Sequence, residues 1–229
     1  MTSTLLFLIG FALPIPVQAA SPVAGSVVSS DEWKVRRGAD KEEEFIGDVR
    51  YRTGRTFLKS DWALFKHATQ GWQAKGRVRV DRLLDDGATL TAEGDEAVFD
   101  QRKQAGALTG RDGVSFLRAP TDAEPDHGRA DRSEWKGPNR AAAVGAVRIW
   151  GPRMEVQADR ADYDLVPGEL TLTGGRPVLL KLEGFDPSSS DWVGALQGDI
   201  VRSYENPRRL TADGKARGWI DFTQTKAGR

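Results

Sequence analysis

Four aspartates, Asp61, Asp95, Asp159 and Asp199, stand in one local frame, and they are the first residues in this chain that could do chemistry. Two carboxylates flanking a scissile bond are the acid and base of glycoside hydrolysis. The segments Thr56–Lys66 (TFLKSDWALFK), Leu90–Asp100 (LTAEGDEAVFD) and Met154–Asp164 (MEVQADRADYD) align without a gap. A small residue (Ser60, Gly94, Ala158) precedes the aspartate, alanine (Ala63, Ala97, Ala161) follows two positions on, and an aromatic (Phe65, Phe99, Tyr163) two after that. A fourth copy, Gly194–Tyr204, keeps Leu196, Gly198 and Asp199, puts Val201 in place of the alanine and carries Tyr204 one place late. A catalytic pair is singular, whereas this aspartate recurs in every unit. The pattern points to a structural device, a carboxylate bonding backbone amides at a turn.

The other candidates for chemistry are few. The histidines are His67, in an expected turn, and His127, in an expected loop, and neither has the neighbours a zinc or acid–base site requires. The chain lacks GxSxG, P-loop, HExxH and GxGxxG motifs. It has no cysteine, which excludes thiol catalysis, disulfides and lipid attachment through cysteine. Lysine plus arginine equals aspartate plus glutamate at 33 each, so no net field attracts nucleic acid. We therefore expect no catalytic residue, metal or cofactor. Trp62, Trp72, Trp150, Trp192 and Trp219 lie in strand-like segments. Trp62 and Trp150 fall on the polar side of the alternation and are expected to be exposed or to meet a neighbour.

The elements that must position these residues are strands. Val147 and Ile149 flank Arg148; Met154, Val156 and Ala158 flank Glu155 and Gln157; Leu170 and Leu172 flank Thr171. A period of two puts one set of side chains on one face of a strand. The expected fold is all-β and antiparallel, with about a dozen to sixteen strands of roughly five to six residues. One unit reads as a strand beginning G-x-V-R (Gly47, Gly76, Gly145), a strand ending in Ala-Asp, and a strand ending L-T-x-x-G (Gly110, Gly174, Gly214). Asp95 and Asp159 are 64 residues apart, against 34 and 40 for the other intervals. Ala119–Ala141, rich in charge, proline and glycine, accounts for the excess as an inserted loop. The expected organisation is a signal peptide over 1–19, a linker over 20–44, one β domain over 45–222 and a tail over 223–229. The uncharged run Leu5–Val17 and the Val17-Gln18-Ala19 site predict export with cleavage after Ala19; an uncleaved anchor is the alternative.

The string GxVR, turn, AD-x-A-x-YD, turn, LTLTG closely resembles the repeat of the OstA-like superfamily. Val156–Gly175 is the clearest match, Glu44–Gly110 carries two more copies and Gly194–Phe222 a weaker one. That family includes the periplasmic bridge protein of lipopolysaccharide transport (LptA type) and its inner-membrane relative (LptC type). The resemblance implies an OstA-like β-jellyroll of two facing antiparallel sheets with open ends and no enzyme activity. It also implies a periplasmic carrier that binds acyl chains of lipopolysaccharide or a related lipid between its sheets and passes them toward the outer membrane. The residues whose parity would line that trough are Val49, Tyr51, Leu58, Phe65, Val78, Val80, Leu90, Phe99, Val147, Ile149, Met154, Val156, Tyr163, Leu170 and Leu172. Partners would be other lipopolysaccharide-transport proteins, or further copies of the chain, joined through end strands. The expected edges are Phe45–Arg52, with Val49 and Tyr51, and Lys215–Phe222, with Trp219, Ile220 and Phe222. The alternative is a carbohydrate-binding or structural β-protein of the cell envelope.

Overall fold

The computed structural model describes residues 27–38, 41–84, 87–137, 140–152, 154–164, 166–175, 179–183, 192–205 and 208–222. The expected signal peptide over 1–19 and the tail over 223–229 lie outside them. Among the described residues every regular element is a strand. In chain order they are β1 (Val27–Ser29), β2 (Glu32–Arg36), β3 (Glu42–Thr53), β4 (Thr56–Lys66), β5 (Gly71–Leu83), β6 (Thr89–Asp100), β7 (Ala105–Ala119) and β8 (Asp126–Lys136). They continue with β9 (Arg140–Trp150), β10 (Met154–Asp164), β11 (Glu169–Thr173), β12 (Leu179–Glu183), β13 (Trp192–Gln197), β14 (Ile200–Glu205), β15 (Arg208–Asp213) and β16 (Arg217–Phe222). All pairings are antiparallel and join one 16-stranded sheet.

The strands from β3 to β10 form a meander, and each is interrupted midway by a register shift. One strand of each pair carries a glycine at the shift and the other an aspartate, and the unpaired stretch on the glycine strand is two residues long in β3–β4, β5–β6 and β9–β10 and longest in β7, where it covers residues 110–113. Gly47-Asp48 of β3 faces Asp61 of β4, and Gly145-Ala146 of β9 faces Asp159 of β10. Bulges of this kind bend a strand and sharpen its twist. Their alignment from strand to strand makes a seam across the sheet. Glycine supplies the left-handed backbone this requires: Gly76 has φ +76° and Gly145 φ +77°. The residue that follows shares the conformation in Asp48, Arg77, Ala146 and Lys215, whose φ values are 40°, 46°, 42° and 43°.

At both ends of the meander the seam opens. β1 pairs with β3 at Arg50–Arg52 and β2 at Glu42–Ile46. β11 pairs with β10 at Arg160–Asp164 and β12 at Met154–Gln157. β11, β14 and β15 then continue one arm, and β12, β13 and β16 the other. We call the arm that carries β2 and β15 the first arm and the arm that carries β1 and β16 the second. A single buried cluster draws on both, with Ala63, Leu108, Tyr163 and Leu172 from the first and Val49, Val80, Ile149 and Val156 from the second.

Four expectations are corrected. The expected loop over Ala119–Ala141 is mostly strand, because β8 runs through it, paired with β7 and β9; residues 120–125 form the connection. The expected linker over 20–44 contains β1, β2 and the start of β3, so the sheet begins before residue 45. The number of strands matches the expectation, but β3 to β10 are 11 to 15 residues long because each crosses the seam without ending. The repeat is a hairpin of two strands, not a unit of three. A carboxylate strand alternates with a glycine strand throughout: Asp31 then Gly47, Asp61 then Gly76, Asp95 then Gly110, Asp131 then Gly145, Asp159 then Gly174, Asp199 then Gly214.

Candidate functional site

The register turns the repeated motif into rows. The alanine two places after each aspartate lies in one cross-strand row on the inward face of the first arm: Phe45, Ala63, Ala74, Ala97, Leu108, Ser133, Ala143, Ala161, Leu172 and Val201. The aromatic two places further makes the next row: Phe65, Trp72, Phe99, Gly106, Trp135, Ala141, Tyr163 and Leu170. The first row is a floor in which six of the ten side chains are alanine or serine, and the second a rim in which six of the eight are aromatic or leucine. Across the seam, the second arm faces them with Tyr51, Leu58, Val80, Ala92, Phe116, Gly128, Ile149 and Val156.

A cavity opens where three alanines follow one another in the floor. Ala63, Ala74, Ala97, Leu108, Trp72, Val98, Phe99, Gln101 and Trp135 line it from the first arm, and Val49, Tyr51, Thr56, Leu58 and Val80 from the second. Nearly all the lining is apolar, and the volume is about 80 Å³. A water-sized group takes roughly 10–15 Å³ of such space, so about five to eight methylene-sized groups fit. At about 0.8 kcal/mol per buried methylene, their transfer from water is worth about 4–6 kcal/mol. This suits the end of an acyl chain.

The rim at this cavity is built from stacked rings. Phe45 stacks on Trp72 at 6.1 Å, Phe65 tilts against Trp72 at 4.7 Å, and Trp33 of β2 stacks on Phe45 at 6.3 Å. Tyr51 reaches Trp72 from the opposite arm, with ring centroids 5.4 Å apart. Phe99 stacks on Trp135 at 6.2 Å. Trp135 fits because its partner is glycine: a Cβ on Gly106 would overlap the indole, at 2.5 Å from Cε2.

Five of the fifteen expected lining residues, Val49, Tyr51, Leu58, Val80 and Phe99, border the cavity. Val78, Leu90, Val147, Ile149, Met154, Val156, Tyr163, Leu170 and Leu172 are buried in the core, and Phe65 packs behind Trp72. All fifteen lie on the inward face, so parity separates inward from outward but does not separate core from cavity. Ala63, Ala74, Ala97, Trp72, Leu108 and Trp135 were not expected as lining. The alanine of the repeat was the available signal, since consecutive small residues in one row leave space that large ones would fill.

The expected N-terminal edge is also corrected. Phe45–Arg52 is covered by β2 at Phe45 and by β1 at Tyr51, and Val49 is buried. The outermost strands at that end are β1 and β2. At the other end, β16 pairs only with β13 and β15 only with β14 among the described residues, which places Arg217–Phe222, within the expected stretch Lys215–Phe222, at the margin of the described sheet. Trp219 is 56% exposed there. Ile220 and Phe222 are placed in the β13 register; their side chains lie outside the described residues.

The aspartates do bond backbone amides, at bulges rather than turns. Asp95 accepts from the Arg111 amide at 2.5 Å and Asp159 from the Gly175 amide at 2.8 Å. The Asp61 carboxylate instead receives Arg77, with Nη2 at 2.6 Å. That bond holds the Asp61 carboxyl below its ordinary range against a smaller opposing effect of desolvation. Arg50 does the same for Asp48. Trp62 donates from Nε1 to Glu44 at 2.8 Å, and Trp150, 37% exposed, stacks with His127 at 5.7 Å, both on the outward face as expected. His67 pairs with Glu43 at 2.6 Å. His127 lies in β8 rather than in a loop.

No family model matches the chain, and no curated protein matches it.

Proposed function

We propose that this protein is a non-enzymatic carrier in the cell envelope, of the OstA-like type, holding acyl chains of lipopolysaccharide or a related lipid between the facing halves of a β-jellyroll. One observation carries this reading: an apolar cavity lined from both arms of a sheet that bends along a continuous seam. A sheet whose inward faces meet around alanines and aromatic rings offers an acyl chain a dry surface and asks no chemistry of it. Among the described residues the outer edges of β15 and β16 are unpaired, and backbone donors and acceptors on such edges are where a neighbouring carrier can add a strand. Passage along such a series toward the outer membrane, from a periplasmic location, completes the proposal.

The test is mass spectrometry of the organic extract of protein purified from the envelope without detergent. The expected result is an acylated lipid in the parent and its loss in Ala97→Trp, which fills the cavity from its floor. Absence of acylated lipid from the parent, or equal amounts in both proteins, would overturn the proposal.

A further inference from the structure

One contact in the lining of the cavity spans the two arms. Tyr51 belongs to the part of β3 beyond the seam, and Trp72 to the part of β5 before it. Both line the cavity, and their rings meet at 5.4 Å with their planes 42° apart. The two sides of this contact are held differently. Trp72 is wedged between Phe45 and Phe65 of its own arm. Tyr51 has Trp72 as its only ring partner among the described residues, and the strand outside it, β1, is three residues long. The arms join through bulges, and at this end β1 and β2 pair with separate halves of β3.

We propose that Tyr51 and Trp72 form a gate, with Trp72 as the fixed post and Tyr51 as the moving leaf, and that a single apolar chain enters the cavity when they part. The proposal rests on the acyl-chain reading above and adds the route and the capacity: one chain end at a time, admitted between two rings. The contact between one pair of rings is worth about 0.5–1.5 kcal/mol, so it suits a gate that opens and closes rather than a permanent strut. A wall residue and a gate residue make different predictions. Removing a wall weakens binding, whereas removing a gate speeds entry.

The experiment uses 12-bromododecanoic acid, whose terminal bromine quenches tryptophan fluorescence at short range, mixed with the full chain in a stopped-flow instrument. Trp72 and Trp135, which line the cavity, report arrival of the chain end. Tyr51→Ala is expected to raise the association rate several-fold, to about tenfold, the factor one aromatic pair is worth. Tyr51→Phe, which keeps the ring, should restore the association rate of the parent. Circular dichroism checks that each variant is folded. An unchanged association rate in folded Tyr51→Ala, or a fall in affinity through faster release alone, would overturn the gate while leaving the carrier reading intact. No quench in the folded parent would overturn the carrier reading and the gate with it.

Discussion

Replacing Gly145 with alanine tests whether the seam is built from fitted carboxylate–glycine pairs. Gly145 sits in left-handed backbone at φ +77°, and a methyl there would lie 2.7 Å from Cγ and 2.9 Å from Cβ of Asp131. Two costs therefore combine. The left-handed conformation costs alanine about 1–2 kcal/mol. The overlap with Asp131 adds about 1–3 kcal/mol, the usual range when atoms are forced into a filled site. Gly137 separates the two, because its φ is +67° and a methyl there would meet nothing within 4 Å. Gly137→Ala should carry the conformational cost alone, and Gly145→Ala should exceed it by about 1–3 kcal/mol. In a domain of this size the excess lowers the thermal midpoint by about 2–4 °C per kcal/mol. Urea denaturation gives the free energies directly, and the double variant Asp131→Ala/Gly145→Ala supplies the coupling. Removing the carboxylate should reduce the excess, since Cγ and both oxygens go while Cβ stays. If Gly145→Ala destabilises no more than Gly137→Ala, or if Asp131→Ala does not relieve it, the carboxylates are ornaments of the bulge rather than parts of it.

Three further outcomes are expected. The Asp61 carboxyl is held below its ordinary value of 3.8 by Arg77, so the stability it contributes is present above that pH and is lost as pH falls through the lower folded-state value; Asp61→Asn should flatten the dependence of the urea midpoint on pH below about 4, and an unchanged acid limb would count against the pairing. Trypsin under native conditions should spare Arg129 and Arg132, which lie within paired β8, whereas a protease of broad specificity should cut between residues 120 and 125; early cleavage at Arg129 would contradict the strand. A photo-crosslinker at Leu58 should capture an acyl chain and one at Val156 should not, because Leu58 borders the cavity and Val156 is fully buried away from it; equal capture at both would mean that the cavity is not where the chain lies.

The inward face was legible in the sequence because alternation reports which side of a strand is buried. Val147 and Ile149, or Leu170 and Leu172, needed nothing else. The hairpin of β8 was not legible by that route. Its inward residues are Gly128, Ala130, Ser133 and Trp135, and three of these are too small or too polar to register as an apolar stripe. They are small because large neighbours occupy the space: Phe116 pairs with Gly128 and Leu108 with Ser133. The surviving signal was the string Ala130-Asp131-Arg132, identical to Ala158-Asp159-Arg160, which divides the 64-residue interval into 36 and 28. The seam was read as strand ends for a related reason. Glycine and aspartate together are turn signals in a single sequence, and only pairing with neighbouring strands shows that the chain continues in the same direction. Cavity and core share one parity, so alternation alone could not separate Leu58 from Val156.

The seam and the cavity have a common origin in the spacing of one motif. The aspartate fixes the bend, and the alanine two residues later is the first side chain to point inward beyond it. Residues close to a sharp bend approach the opposite arm most nearly, so they must be small. The aromatic, two residues further, stands where the arms have more room, and its ring spans the gap. A strand rises about 3.3 Å per residue, so alanine and aromatic are about 6.6 Å apart along it. Repetition across the hairpins extends this profile into rows of floor and rim, and where Leu108, Leu172 or Val201 replaces alanine the floor is filled. Ala63, Ala74 and Ala97 adjoin beneath the rings of Trp72 and Phe99, and the cavity lies there; Ser133, Ala143 and Ala161 form a second run of small residues but are buried in the core. Small residues in the floor are therefore needed for the space without being enough to make it, and exchanging Leu108 for alanine should lengthen the existing cavity by one rung toward Trp135 while costing about 2–5 kcal/mol of stability. A longer acyl chain should then bind with greater affinity relative to a shorter one, as read by titrating fatty acids of graded length. Unchanged length preference in a folded Leu108→Ala protein would show that the alanine row does not set the capacity.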